Sequence, residues 1–340
     1  MAERNEVMKM RAVFITTHGG PEVLEVREVP MSPAPPADRI RIRVFAAALN
    51  RADILQRMGR YPAPPGFPQE IPGLEFAGEI DEVGPEVRLW KPGQRVFGIT
   101  GGAAQAEYVV VPESTVAAIP ETLDWVAAAA VPEAFITAHD AMFTRAGLTI
   151  GDNVLIHAIG SGVGLAASQL ANAAGAKVFG TSRTADKLAR AKEFGMSEAV
   201  IAESDPQSIV DPIKDATGGK GINVLIDLVG AAYLNANLQV LAPLGRMIQV
   251  GTTSGSRTEI DLSMLMSKRA TITGTVLRAR SIEEKSIATR LFAQHVVPLL
   301  ASGAVKPVVD SVYDIDQAGA AHKRVESNEN FGKVVLRFRN

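Results

Sequence analysis

The sequence predicts an α/β protein: a doubly wound parallel sheet, joined to a second part of the chain that is mostly β. Three observations predict it. The apolar run Asn153-Val154-Leu155-Ile156-His157 leads into a glycine-rich turn, Gly160-Ser161-Gly162-Val163-Gly164, and small helix formers follow at once. From about residue 152 to 300, short apolar runs alternate with helix-like stretches, and a parallel sheet needs such crossovers. Residues 11–120 instead carry strand-like runs punctuated by proline and glycine.

The first strand is expected at residues 11–16. Pro33, Pro35 and Pro36 then interrupt the chain. Arg39-Ile40-Arg41-Ile42-Arg43-Val44 alternates strictly, which buries one face and leaves the three arginines as a solvated strand face rather than an anion site. Residues 61–72 are a long loop without periodicity, and such loops often carry function. Residues 123–147 are alanine-rich and helical. Strands are expected at 154–157, 177–181, 199–201, 224–227, 246–250 and 271–276, with helices in the gaps. One of these helices starts at Thr184-Ala185-Asp186-Lys187, with Thr184 as its cap. After Val305 the chain is strand-like again. A helix near 316–327 and a final strand at 333–338 form a tail that rejoins the β-rich part.

The strand, turn and helix order around Gly160 is that of a dinucleotide-binding unit. One glycine lets the backbone approach a pyrophosphate, and another lets the helix pack close to the strand. The helix N-terminus presents free N–H groups and a partial positive charge. The spacing is G-x-G-x-G, so if Gly164 is the last fingerprint glycine, Ile159 and Ser161 hold the other two places. A ribose-binding Asp or Glu is expected about 20 residues on, at the end of the second strand. The chain reads Thr181-Ser182-Arg183 there. A hydroxyl plus a guanidinium suit a 2′-phosphate, which a carboxylate would repel, and Lys187 lies one helical turn on. The expected cofactor is therefore NADPH, held by Gly160, Ser161, Gly162, Val163, Gly164, Ser182, Arg183 and Lys187.

Composition bounds the rest. The chain has 340 residues, 46% of them hydrophobic and 21% charged, with a net charge of −2. That suits a soluble globular protein long enough for two domains. Near-neutrality argues against nucleic acid as the main partner. No apolar run reaches the roughly 18 residues that span a bilayer. The polar stretch from Met1 to Met10 has no apolar core of a secretory signal, and Met10 is an alternative start. There are no cysteines, which excludes disulfides, thiolate nucleophiles and cysteine zinc sites. The cytosol is the expected compartment.

Several further motifs occur in one order: Gly19-Gly20-Pro21-Glu22-Val23-Leu24, Ala48-Leu49-Asn50-Arg51-Ala52-Asp53, Pro72-Gly73-Leu74-Glu75-Phe76-Ala77-Gly78, the glycine turn, and Phe331-Gly332-Lys333-Val334-Val335-Leu336. From about Met10 to Phe338 the chain resembles the medium-chain dehydrogenase/reductase superfamily. Within it the chain resembles the zinc-independent quinone oxidoreductases, nearest to the p53-inducible type. The resemblance implies a Rossmann domain binding NADPH at residues 133–303. It implies a GroES-like β-rich catalytic domain made from both termini, 1–132 and 304–340, with substrate in the cleft between the two. It also implies a homodimer through the Rossmann edge strand near 271–276, and an apolar β-branched edge strand does invite pairing.

Zinc enzymes of the superfamily hold their catalytic metal on a Cys, a His and another Cys. Aligned by motif, this chain has Asn50, Leu74 and Glu133 at those places. Leucine cannot ligate and an amide oxygen is a poor zinc ligand. His18, His139, His157, His295 and His322 lack ligand spacing. No metal is expected. Alcohol oxidation usually draws on zinc as a Lewis acid, so reduction of an activated acceptor is the easier chemistry.

By the same resemblance Asn50 and Tyr61 face the nicotinamide and the substrate as catalytic residues. A neutral phenol can donate to a developing oxyanion; an aromatic plug in the proline-rich loop is the plainer reading of Tyr61, and a turn residue that of Asn50. Thr137, Gly251, Thr252, Leu277, Arg278, Phe331 and Lys333 are implied on the cofactor side. The plainer readings are a helix cap for Thr137, a dimer salt bridge for Arg278 and an edge-strand lysine for Lys333. One departure concerns the cofactor. Related enzymes often carry Asn-Tyr after the third strand, where this chain has Ala202-Glu203, and Glu203 would oppose a phosphate. The expected function is NADPH-dependent reduction of a quinone or conjugated enone. Reduction of an enoyl thioester or 2-alkenal is the alternative within the superfamily. An NADPH-binding sensor or RNA-binding protein without turnover is the alternative of another class, with few aromatics counting against RNA.

Overall fold

The structure is a computed structural model that describes residues 8–31 and 34–338. Met1 and Pro33, named above, lie outside the described residues. The chain divides into two compact units. The first comprises Met1–Glu133, Arg278–Ser302 and Pro307–Asn340, and the second comprises Ala134–Leu277 with Gly303–Lys306.

The first unit opens with an antiparallel pair, β1 (Lys9–Ile15) and β2 (Leu24–Pro30). β3 (Arg39–Ala48) follows, then α1 (Arg51–Arg57), β4 (Glu75–Val83), β5 (Arg95–Ile99), β6 (Tyr108–Pro112), β7 (Val116–Ala118) and α2 (Trp125–Ala129). Period-two alternation in β3 sets its faces: Ile40, Ile42 and Val44 are fully buried. The opposite face is less wet than the alternation predicts. Arg41 pairs with Asp81 and Glu82, keeping only 11% of its side chain exposed, and Arg43 pairs with Glu79. The reason is tertiary: β4 lies antiparallel to β3 and presents its acids directly opposite. Residues 61–72 contain no helix or strand.

The second unit holds a parallel sheet. α3 (Pro132–His139) leads into it, and its elements are β8 (Asn153–Ile156), α4 (Gly162–Ala173), β9 (Lys177–Ser182), α5 (Ala185–Ala191), β10 (Glu198–Ile201), α6 (Val210–Ala216), β11 (Ile222–Asp227), α7 (Leu234–Val240), β12 (Leu241–Gln249), α8 (Leu262–Lys268) and β13 (Thr271–Gly274). The strand order is β10-β9-β8-β11-β12-β13, and every pairing is parallel. This is the doubly wound order of a Rossmann fold. Helices cover both faces of such a sheet, so its strands are apolar throughout rather than alternating. Leu155, Phe179, Leu225 and Met247 are fully buried beside Ile213 and Leu238, and each large apolar side chain so buried contributes about 1.5–3 kcal/mol. Two expectations shift at their ends. The last strand stops at Gly274, after which Thr275 N–H takes the final carbonyl of β12, that of Gln249. Thr184 stands at the N-cap of α5, but its hydroxyl makes no capping bond; its own N–H donates to Ser182 Oγ.

The chain then completes the first unit with α9 (Ile282–His295), α10 (Val297–Ala301), β14 (Val309–Asp314), α11 (Ala318–Glu326) and β15 (Lys333–Arg337). Ser281 and Glu284 form a reciprocal capping box at the start of α9. The tail returns to the β-rich sheet as expected. β15 lies between β14 and β3 in the order β14-β15-β3-β4-β5-β7, and β6 also pairs with β3. Val334 and Leu336 of β15 enter the core formed by Ile40, Ile42, Phe76 and Val96. The GroES-like fold is thus built from both ends of the chain. Among the described residues no helix is long and apolar enough to cross a membrane.

Candidate functional site

In the second unit, the expected cofactor residues lie at the C-terminal edge of the sheet, where open α/β sheets bind their ligands. β8 runs into a turn in which Ala158 adopts φ 49°. Ser161 caps α4, its Oγ accepting the Gly164 N–H at 3.1 Å. A Cβ on Gly164 would stand 2.7 Å from both Ala158 O and Ile159 O, so only glycine lets the helix sit this close to the turn. The first turn of α4 leaves N–H groups for an anion. β9 ends at Ser182, buried, followed by Arg183, exposed; Lys187 lies half-buried one turn into α5. Glu203 is exposed beyond β10, its N–H donating to Ser208 Oγ. Gly251 follows β12, where a Cβ would stand 2.7 Å from Leu228 O. Close backbone at two glycines, a helix N-terminus, and a hydroxyl and a guanidinium at the end of β9 fit a nicotinamide dinucleotide.

In the first unit, charged and polar side chains converge around Asn50. The residue stands at the N-cap of α1, with extended backbone. Its amide nitrogen donates to Glu75 Oε1 at 2.8 Å, and its Oδ1 accepts from Lys333 Nζ at 2.7 Å. Lys333 Nζ also reaches Leu49 O at 2.8 Å and Glu75 Oε1 at 2.6 Å. The second oxygen of Glu75 accepts the Glu133 N–H at 2.8 Å. Asp53 accepts from Asn50 N–H and, through its other oxygen, from Gly73 N–H. Gly73 has φ 111°, and a Cβ there would stand 2.4 Å from Gln105 N. Asn50, Glu75 and Lys333 therefore form one closed set of charge-assisted bonds.

Arg278 forms a second set. It is buried, donates to Gly101 O at 2.8 Å and Tyr61 O at 3.2 Å, and bonds Gln56 Oε1. Its guanidinium lies 5.1 Å from the centre of the Tyr61 ring, a cation–π contact. Burial shifts the acids upward. Asp53 rises to about 6, opposed by the two N–H groups it accepts from and by Arg278 and Lys333. Glu133 rises to about 8 through burial and the neighbouring Glu75 carboxylate, with Lys333 pulling it back. Burial also raises the Tyr61 phenol against the field of Arg278, so the phenol is a neutral donor.

Comparison with known proteins gives the fold its relatives. A family model described as the alcohol dehydrogenase GroES-like domain matches residues 36–121, and one described as zinc-binding dehydrogenase matches residues 162–294. Quinone oxidoreductase from Rattus norvegicus is 34% identical over 331 residues, covering 96% of this chain and 97% of that protein. This chain belongs to the medium-chain dehydrogenase/reductase superfamily. It is an oxidoreductase of that superfamily, similar to its quinone oxidoreductases. A solved structure described as an NAD-dependent alcohol dehydrogenase superposes with a TM-score of 0.85 at 34% identity, over 97% of this chain and all 100% of that one. A mycobacterial structure complexed with NADPH superposes with a TM-score of 0.87 at 28% identity, over the same shares of the two chains.

On this superfamily member the expected site residues fall into two groups. Asn50, Tyr61, Arg278, Phe331 and Lys333 belong to the first unit, and the glycine turn, Thr137, Ser182, Arg183, Lys187, Gly251, Thr252 and Leu277 to the second. Asn50 and Lys333 touch, as do Tyr61 and Arg278. Phe331 is buried, its N–H bonded to Asp310 Oδ1, and Leu277 is also buried. Lys333 does not begin an edge strand, because β15 is internal to its sheet.

At the superfamily's zinc-ligand places the chemistry does not fit the metal. Leu74 is buried and offers no lone pair, and Asn50 Oδ1 accepts from an ammonium. Asp53, Gln56 and Glu75 were not singled out from the sequence as site residues. Glu75 was visible inside its motif, but its partner Lys333 lies on a strand far along the chain, and no local signal joins them.

Proposed function

We propose that this oxidoreductase is an NADPH-dependent reductase of quinones or conjugated enones that works without a metal ion. The observation that carries this reading is the Asn50–Glu75–Lys333 set. A lysine ammonium is the cation beside Asn50, held by a carboxylate and an amide that are thereby taken from any metal. The likeness to quinone oxidoreductases at 34% identity supports the acceptor class, and Ser182 with the exposed Arg183 supports the phosphorylated cofactor over NADH.

When bound, reduced nicotinamide supplies a hydride to a carbon of the acceptor. The chain's part is to orient and to stabilise charge. Lys333 and Glu75 fix the Asn50 amide from opposite sides, so that it meets its ligand in one orientation. Lys333 acts on the cofactor side through Asn50. Tyr61, neutral and braced by Arg278, donates a hydrogen bond to the acceptor oxygen on which negative charge gathers. Thr137, Gly251, Thr252 and Leu277 line the nicotinamide side. The assembly is a homodimer paired through β13.

The test is NADPH oxidation by the purified protein with quinones, conjugated enones and enoyl thioesters, and alcohol oxidation with NADP⁺, each with and without a chelator. Quinone or enone turnover should ignore the chelator. Tyr61→Phe should lower kcat by about 10²-fold and NADPH affinity far less. Alcohol oxidation that chelation abolishes would overturn the metal-free reading, and turnover confined to enoyl thioesters would replace the acceptor class.

A further inference from the structure

β8 delivers His157, whose ring is fully buried within the second unit. Its Nδ1 lies 2.8 Å from Thr181 Oγ1 and its Nε2 2.7 Å from Asn237 Oδ1. The amide nitrogen of Asn237 donates to Asp227 Oδ2 at 3.0 Å. A carboxylate only accepts, so the Asn237 amide has one orientation and its oxygen faces the histidine. His157 therefore carries its proton on Nε2, and Nδ1 accepts from the Thr181 hydroxyl. Burial lowers the imidazole's pKa, which agrees with a neutral ring. The Tyr233 ring closes the remaining side, 4.8 Å away between centroids.

The chain of bonds continues to the backbone. Asp227 Oδ1 accepts from Val229 N–H at 2.6 Å and Gly230 N–H at 2.9 Å. Its carbonyl accepts from Val250 and Gly251 N–H. At the other end, Ile159 N–H donates to Thr181 O at 3.0 Å. One buried polar network thus ties together the C-terminal ends of β8, β9, β11 and β12, where an open α/β sheet binds its ligand. Its outer members adjoin the glycine turn, Ser182–Arg183 and Gly251–Thr252. A fully satisfied polar network specifies one arrangement, whereas apolar packing of similar volume often matches it in stability but tolerates several.

We propose that His157 is a positioning residue: through Thr181 on one side and Asn237–Asp227 on the other, it holds the strand ends in the arrangement that prefers the phosphorylated over the unphosphorylated dinucleotide. The inference rests on the reading of Ser182 and Arg183 as the 2′-phosphate contacts. His157 is fully buried and acts through its neighbours. Thr181 immediately precedes Ser182, so slack at Thr181 moves the groups that meet the phosphate, and NADH lacks that group.

The experiment titrates NADPH and NADH into the full chain by nicotinamide fluorescence, for wild type, His157→Gln, Thr181→Val and Arg183→Ala. Thr181→Val keeps the shape of the strand and removes only the hydroxyl, so it serves if His157→Gln does not fold. Both variants should weaken NADPH binding about five- to tenfold and NADH binding less than twofold. Nitrogen NMR of the wild-type ring should report a neutral Nε2–H form from pH 6 to 9. Variants that melt earlier yet keep the wild-type ratio of NADPH to NADH affinity would make His157 ordinary core and overturn the proposal, as would a ring protonated on Nδ1. Failure of the underlying cofactor reading looks different. Wild type would then show no preference for NADPH, Arg183→Ala would change nothing, and both proposals would fall.

Discussion

Lys333 and Glu75 show at the level of single residues why a buried ion pair is asymmetric to mutation. Their side chains are 7% and 0% exposed. Removing one partner strands the other's charge, at a cost of about 3–5 kcal/mol. Lys333→Met should lower the urea-unfolding stability by that amount, and adding Glu75→Gln should restore most of it. A single variant as stable as the double would disprove the coupling. His322 makes a pH prediction. It is fully buried, with Nε2 facing Gln105 Oε1 and Nδ1 without a partner. Burial, with Arg57 nearby, lowers its pKa from 6.5 to about 3. The unfolded chain therefore binds this proton and the folded chain does not. The stability contributed by the neutral ring is complete above pH 6.5 and is lost as pH falls from there toward 3. At about 1.4 kcal/mol per pH unit, the full loss is on the order of 5 kcal/mol. Urea midpoints measured from pH 7 to 4 should fall, and His322→Gln should flatten the slope.

The turn between β8 and α4 carries its consequence at the level of elements. Glycine at 164 is required because the helix packs against the backbone of Ala158 and Ile159, where a Cβ would stand 2.7 Å away. Gly164→Val should push α4 off the turn, cost about 1–3 kcal/mol of strain and weaken NADPH binding at least tenfold. Calorimetry and fluorescence titration would check the two effects separately, and intact binding would contradict the close-packing argument. The strands of the parallel sheet were legible because strands buried on both faces read as continuous apolar runs. Arg41 was less legible. Alternation identified its face correctly, but the acids that cover it come from β4, and only the register between the two strands brings them opposite.

Assembly is decided at the level of the whole molecule. β13 ends its sheet, and beside it Val276 is 55% exposed, with Leu262 at 60% and Met266 at 73% on α8. An open edge flanked by apolar side chains is an association surface unless it is covered. Sedimentation equilibrium should give twice the chain mass, and Met266→Glu with Val276→Lys should give the monomer with its fold intact. A wild-type monomer at micromolar concentration would rule out the edge-strand dimer.

The sequence by itself determined the α/β class, the alternation of strands and helices, the turn at Gly160–Gly164 and the superfamily motifs. Each of these depends on neighbours within a few residues: periodicity, turn chemistry and local spacing. Only the tertiary structure decided that Lys333 pairs with Glu75 and orients Asn50, that Arg278 braces Tyr61, and that the network through His157 ties four strand ends together. Those partners are separated by tens to hundreds of residues, and their energies arise from burial. Burial makes an unpaired charge costly and a matched one specific, and local sequence carries no record of which distant strand will supply the match.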